Sequence, residues 1–126
     1  MESSEVNELL SQARPQTSEG ADLLLDLRDL LLNDGHPGTC VQCFFSLLGN
    51  LDRPGSLTPL RIWLEEHLEV AVRINGETSE RFPVRFGKSR NLQDYCENTF
   101  EFIRSDRSYQ EDKIHLSFQY RVAMAA

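Results

Sequence analysis

The residues of this chain best suited to chemistry are its three cysteines and three histidines. Cys40 and Cys43 are separated by two residues, His36 stands four positions before Cys40, and Cys96 lies far downstream. Zinc takes thiolates and imidazoles in a tetrahedral array, so His36, Cys40, Cys43 and Cys96 are a chemically adequate ligand set. A strong zinc signature pairs two such clusters, and here there is one. A thioredoxin-like redox pair would open a helix directly after a strand, whereas two helical segments precede Cys40. Apolar packing accounts for more. Cys40, Cys43, Phe44, Leu47, Leu48 and Leu51 share one helical face, and cysteine packs as a small hydrophobe. The three thiols are therefore expected to fill helix faces, with no metal and no cofactor.

Acid–base machinery gives a weaker signal still. His36 sits in a Gly-Pro turn, His67 follows Glu65 and Glu66 on a helical segment, and His115 falls on the outward alternation of a strand. None has a Ser or Cys partner at a recognisable spacing. Adjacent carboxylates such as Glu65 and Glu66 diverge on a helix. Catalysis is not expected, and a small enzyme assembled from distant His and Cys residues is the third-ranked reading.

The second chemically suggestive stretch is RFPVRFGKSRN. Arg81, Arg85, Lys88 and Arg90 lie within ten residues, interleaved with Phe82 and Phe86, and no acidic residue occurs from 81 to 93. Such a patch suits a phosphate, an RNA backbone or an acidic partner peptide. The competing reading puts both Phe in the core and leaves the charges as a solvated rim. Four cations are few beside the roughly 6–10 phosphate contacts of a strong nucleic-acid binder. The GKS within the stretch is not a P-loop, because that motif needs a glycine where Phe82 stands.

Charge divides the chain. The net charge is −7, with 11 Asp and Glu against 4 Lys and Arg in residues 1–66 and 9 of each in residues 67–126. An acidic chain repels nucleic acid and anionic membranes unless its cations are gathered locally. No apolar run approaches the ~20 residues that span a bilayer, and the N-terminal MESSEVNELLSQ does not read as a secretory signal. Three cysteines without a signal peptide point to reduced thiols in the cytoplasm or nucleus.

Four helical segments precede a β-rich half. Val6, Leu9, Leu10 and Ala13 mark the first, capped by Ser3 or Ser4. Leu23, Leu24, Leu27, Leu30 and Leu31 stripe the second, and Leu25 and Leu32 widen its apolar surface towards a central place in the fold. The third carries Cys40 and Cys43, and the fourth opens at Thr58-Pro59 with Leu60, Trp63, Leu64 and Leu68 inward. LRDLL at residues 27–31 matches a coactivator-binding pattern, but a leucine stripe this regular reads as core. EVAVRI alternates as a strand over 69–74, although it can also prolong the fourth helix. NGETSE reads as a turn and RFPVRF as a strand whose Pro83 belongs at an edge. Leu92, Tyr95, Cys96, Thr99, Phe100 and Ile103 mark a fifth helix, and KIHLSFQYRVAM alternates as a long last strand.

The expected architecture is one α+β domain over residues 1–126. It has a mainly helical, acidic part at 1–68 and a β-rich, charge-balanced part at 69–126 that forms a β-β-α-β unit with a small antiparallel sheet. The expected role is a non-enzymatic, protein-binding regulatory module, in keeping with a secretion chaperone or a viral accessory protein. The partner is a protein, with nucleic acid a secondary alternative through residues 81–90 and no membrane. The long last strand exceeds what two shorter strands can cover. Its backbone around Ser117, Gln119 and Arg121, guarded only by Lys113 and Arg121, is therefore expected to pair with a second copy in a homodimer.

Overall fold

The structure is a computed structural model that describes residues 1–51, 53–106 and 114–121, apart from the side chains of Pro54, residues 100–106 and Ile114. Its order is α1 (Ser3–Leu10), α2 (Ser18–Leu32), α3 (Pro37–Leu48), a 3-10 turn (Pro54–Leu57), α4 (Thr58–His67), β1 (Leu68–Ile74), β2 (Glu77–Pro83), α5 (Leu92–Asp106) and β3 (Ile114–Tyr120). This is an α+β fold with a three-stranded antiparallel sheet. The chain divides into two compact units, Met1–Leu64 and Glu65–Ala126.

In the first unit, α2 packs against both α1 and α3. Thr17 caps α2 by accepting the Gly20 N–H at 2.9 Å. Pro37 opens α3 with a pre-set φ, and His36 Nδ1 accepts the Gly38 N–H at 3.1 Å, so this imidazole serves as an N-cap. Val6, Leu27, Leu31, Val41, Leu47, Leu60 and Leu64 are fully buried. The LRDLL motif is thus spent on the core, because its Leu27 and Leu31 face inward. Leu25 is 57% exposed, against the expectation that it widens the buried face. It lies two positions from Leu27, on the far side of the helix, among Asp22, Asp26 and Arg28. The α1 helix starts after Glu2 with no side-chain cap, so neither Ser3 nor Ser4 plays that part.

The second unit is built on β1, the central strand of the order β2-β1-β3. Residues 69–74 are strand and do not prolong α4. Their β-branched Val70, Val72 and Ile74 suit the pleat. The expected six-residue turn shrinks to Asn75-Gly76, whose φ values of 52° and 87° make the two-residue hairpin that Asn-Gly favours. Glu77 to Glu80 are thereby released into β2, and the strand ends at Pro83, leaving Val84 to Phe86 outside it. Pro83 sits on an edge strand, as its missing N–H requires. The last strand is described from Ile114 to Tyr120. Its described length is seven residues, and all of them pair with β1, from Leu68↔Tyr120 to Ile74↔Ile114. Lys113, Val122 and Met124 lie outside the described residues.

Candidate functional site

The hairpin, the loop behind it and the first turns of α5 enclose a hollow within the second unit. Its volume is about 400 Å³. Val70, Phe82, Phe86 and Tyr95 supply apolar walls, Asn98 and Thr99 a polar margin, and Arg85 and Lys88 the cations. Each wall has a local cause. Val70 faces the apolar side of β1 opposite Phe82 in the hairpin register. Gly87, at φ 57°, turns the chain away from the sheet and closes a turn in which the Ser89 N–H donates to the Phe86 carbonyl at 3.0 Å. Asn91 then caps α5, its Oδ1 accepting the Asp94 N–H at 2.8 Å. That cap sets the helix so that Tyr95 tilts against Phe86 at 5.5 Å and stacks on Phe118 at 5.6 Å.

The four cations of the basic stretch separate into two pairs. Arg81 lies 3.9 Å from Glu69, and Arg90 lies 3.6 Å from Asp94. Those two are offset within the unit. Arg85 and Lys88, the pair that lines the hollow, have no carboxylate within 4.0 Å among the described residues. Both are exposed, and Arg85 uses one guanidinium N–H on the Val84 carbonyl at 2.9 Å, which orients the group without neutralising it. Phe86 is buried and Phe82 half-buried, while Arg81, Arg85, Lys88 and Arg90 are exposed. Burial pushes the Tyr95 phenol up to about 12 and keeps it neutral, with the Cys96 and Glu65 charges adding to the effect and hydrogen bonds to Thr99 and Arg85 opposing it.

The thiols go elsewhere. Cys40 and Cys43 are buried in α3, and Cys96 is half-buried on α5. The Cys43 thiol donates to the Leu23 carbonyl at 3.3 Å. Burial, with Asp26 and Cys40 contributing, raises its pKa to about 11. Burial also raises that of Cys96. A raised pKa is the opposite of an activated thiolate. Among the described residues no group of three or more His, Cys, Asp or Glu is placed to hold a metal ion, which includes His36, Cys40, Cys43 and Cys96. No disulfide links the cysteines.

The residues expected to meet a second copy also make contacts within the unit. The Gln119 amide donates to the Glu69 carboxylate. Arg121 donates its backbone N–H to the His67 carbonyl and its guanidinium to the carbonyls of Glu65 and Leu68, satisfying the C-terminal end of α4 as it passes into β1. Ser117 pairs in register with Ala71. Sequence reasoning singled out the rim cations but missed the hollow, because Val70, Tyr95, Asn98 and Thr99 come to it from β1 and α5. Tyr95 was marked only as one more residue on a helix face. Among the described residues no helix is long and apolar enough to cross a membrane. No protein-family model, curated protein or solved structure matches this chain.

Proposed function

We propose that the protein is a non-enzymatic binding module of the cytoplasm or nucleus, and that its second unit takes an acidic peptide of a partner protein. An apolar side chain of the peptide fills the hollow between β1, β2 and α5, and neighbouring carboxylates meet Arg85 and Lys88. The observation that carries this reading is the pairing of an apolar cavity with two cations that have no carboxylate within 4.0 Å among the described residues, although Glu65 lies close enough to accept the Phe86 N–H at 3.5 Å. A guanidinium receives a carboxylate through two parallel N–H donors, and a desolvated aromatic or aliphatic anchor supplies most of the affinity at such sites. Two cations suit a short acidic segment better than a nucleic-acid backbone, whose affinity comes from many phosphates. Raised thiol pKa values and the employment of His36 as a helix cap support a role without catalysis.

Random-peptide display against the full chain tests the reading. Selected peptides are expected to carry one large apolar residue flanked by Asp or Glu. Arg85→Glu with Lys88→Glu should weaken them at least tenfold while the melting temperature stays nearly constant, because exposed charges contribute under ~1 kcal/mol to stability. Selection of basic peptides, tighter binding of single-stranded oligonucleotide at the same residues, or binding indifferent to both substitutions would overturn it.

One observation favours a second reading beside the first. β3 is an edge strand of a three-stranded sheet, and its described length contains no proline, lysine or acidic residue. Edges so lightly guarded invite pairing with another strand, so a two-fold homodimer through β3 is proposed as the protein's own assembly.

A further inference from the structure

The first unit holds a cleft of about 550 Å³ lined by Ser11, Gln12, Arg14, Arg53, Gly55 and Ser56. We propose that this cleft binds a single phosphate monoester group, gripped by Arg14 and Arg53. The two arginines are far apart in sequence and are brought together by backbone pairing. Pro15 bridges Leu51, and the Gln16 N–H donates to the Asn50 carbonyl at 2.8 Å. Thr17 Oγ1 donates to Asn50 Oδ1 at 3.0 Å and extends the same seam. Arg14 lies one residue before Pro15 on one segment, and Arg53 two residues after Leu51 on the other. One isolated bridge and one backbone hydrogen bond thus tie together the two segments that bear the guanidiniums.

Charge makes the placement telling. Residues 1–66 hold only 4 Lys and Arg among 11 Asp and Glu, yet two of the four line one cleft. Neither has a carboxylate within 4.0 Å among the described residues, and both side chains are exposed. The lining's own hydroxyls are committed. Ser11 Oγ donates to the Glu8 carbonyl at 3.0 Å and Ser56 Oγ to the Arg53 carbonyl at 2.7 Å. The side-chain donors left for a ligand among the described lining residues are the two guanidinium forks and the Gln12 amide. Two forks carrying two positive charges match a group with about −1.5 to −2 charge and three acceptor oxygens. A lone carboxylate would leave one fork unmatched, and a polyanion would meet the excess of acidic residues carried by residues 1–66. Gly55 leaves its part of the cleft open, since a Cβ there would meet nothing within 4 Å.

The test is amide-resolved NMR titration of the full chain at low salt with inorganic phosphate and, separately, O-phosphoserine, with chloride as the control anion. Saturable shifts are expected at residues 11–14 and 53–56 with both phosphate probes, and O-phosphoserine should bind at least as tightly as inorganic phosphate. Arg14→Gln with Arg53→Gln should weaken binding at least tenfold. Gly55→Glu, which puts a carboxylate into the open side of the cleft without steric cost, should do the same with an unchanged melting temperature. Shifts that stay linear with concentration, an equal response to chloride, or affinity unchanged in Gly55→Glu would overturn the proposal. So would binding of inorganic phosphate with exclusion of O-phosphoserine. None of these outcomes depends on Arg85 and Lys88, so the peptide reading stands or falls separately.

Discussion

Cys43 and Tyr95 show what burial does to a group that sequence inspection would consider for chemistry. Both acids are held neutral, at about 11 and about 12 against ordinary values of 9.0 and 10.0. For an acid whose folded pKa is raised, the unfolded chain loses its proton first. The stabilisation is therefore whole below the ordinary value and fades as pH climbs through the folded value. Stability is expected to decline from pH 9 to 11 on account of Cys43, with Cys96 acting in the same direction, and from 10 to 12 on account of Tyr95. Urea midpoints measured across this range check it. Cys43→Ala should flatten the first part of the decline and leave the second, and a curve flat from pH 8 to 11 in the parent chain would contradict the burial of the thiol. The same residue marks how far sequence reasoning reaches at this scale. Its place on an apolar helix face was legible from spacing to Phe44 and Leu47. Its bond to the Leu23 carbonyl was not, because α2 supplies that atom.

At the level of elements, α2 and the seam beside it depend on two neighbours. Thr17 both caps the helix and donates to Asn50, so Thr17→Ala should cost about 1 kcal/mol, the usual value of an N-cap. Gly20 is the sharper case. Helix propensity alone would make Gly20→Ala stabilising by ~1 kcal/mol. A Cβ there would stand 2.9 Å from Asn50 Cβ and 3.1 Å from that of Pro15. Crowding of this kind costs ~1–3 kcal/mol, so a net loss of about 1 kcal/mol is expected, read from chemical denaturation. A gain in stability would show that the seam is looser than described. The elements themselves were largely visible in the sequence. Leucine spacing marked α2, α3 and α4, and alternation marked β1 and β3. What escaped was length and direction. Asn75-Gly76 turns the hairpin in two residues, which extends β2 backwards through residues that looked like loop. Leu25 read as core because its neighbours are leucines, but its position on the helix points it outward. Strand order was also hidden. Nothing local says that β1, and not the longer-looking last strand, lies in the middle.

For the molecule as a whole, the consequence to measure is assembly. One chain weighs 14.5 kDa. Pairing through β3 predicts twice that mass in sedimentation equilibrium at micromolar concentration. Ser117→Lys should return the single-chain mass, since a lysine near the middle of β3 would meet its own image across a two-fold axis, and lysine is a common guard of sheet edges. A single-chain mass in the parent protein would remove the dimer and leave both proposed ligand sites untouched. Placing β1 between its two neighbours has a further effect, on timing. The hairpin closes across two residues, an event of about 1–10 μs. The other ladder joins Ile74 to Ile114 and Leu68 to Tyr120, so its closure must wait for a long intervening chain to be ordered. During synthesis β3 leaves the ribosome after every other described element. Until it does, the most apolar strand of the sheet has one side uncovered, and a nascent chain halted before Ile114 would present that side to whatever strand or chaperone came first.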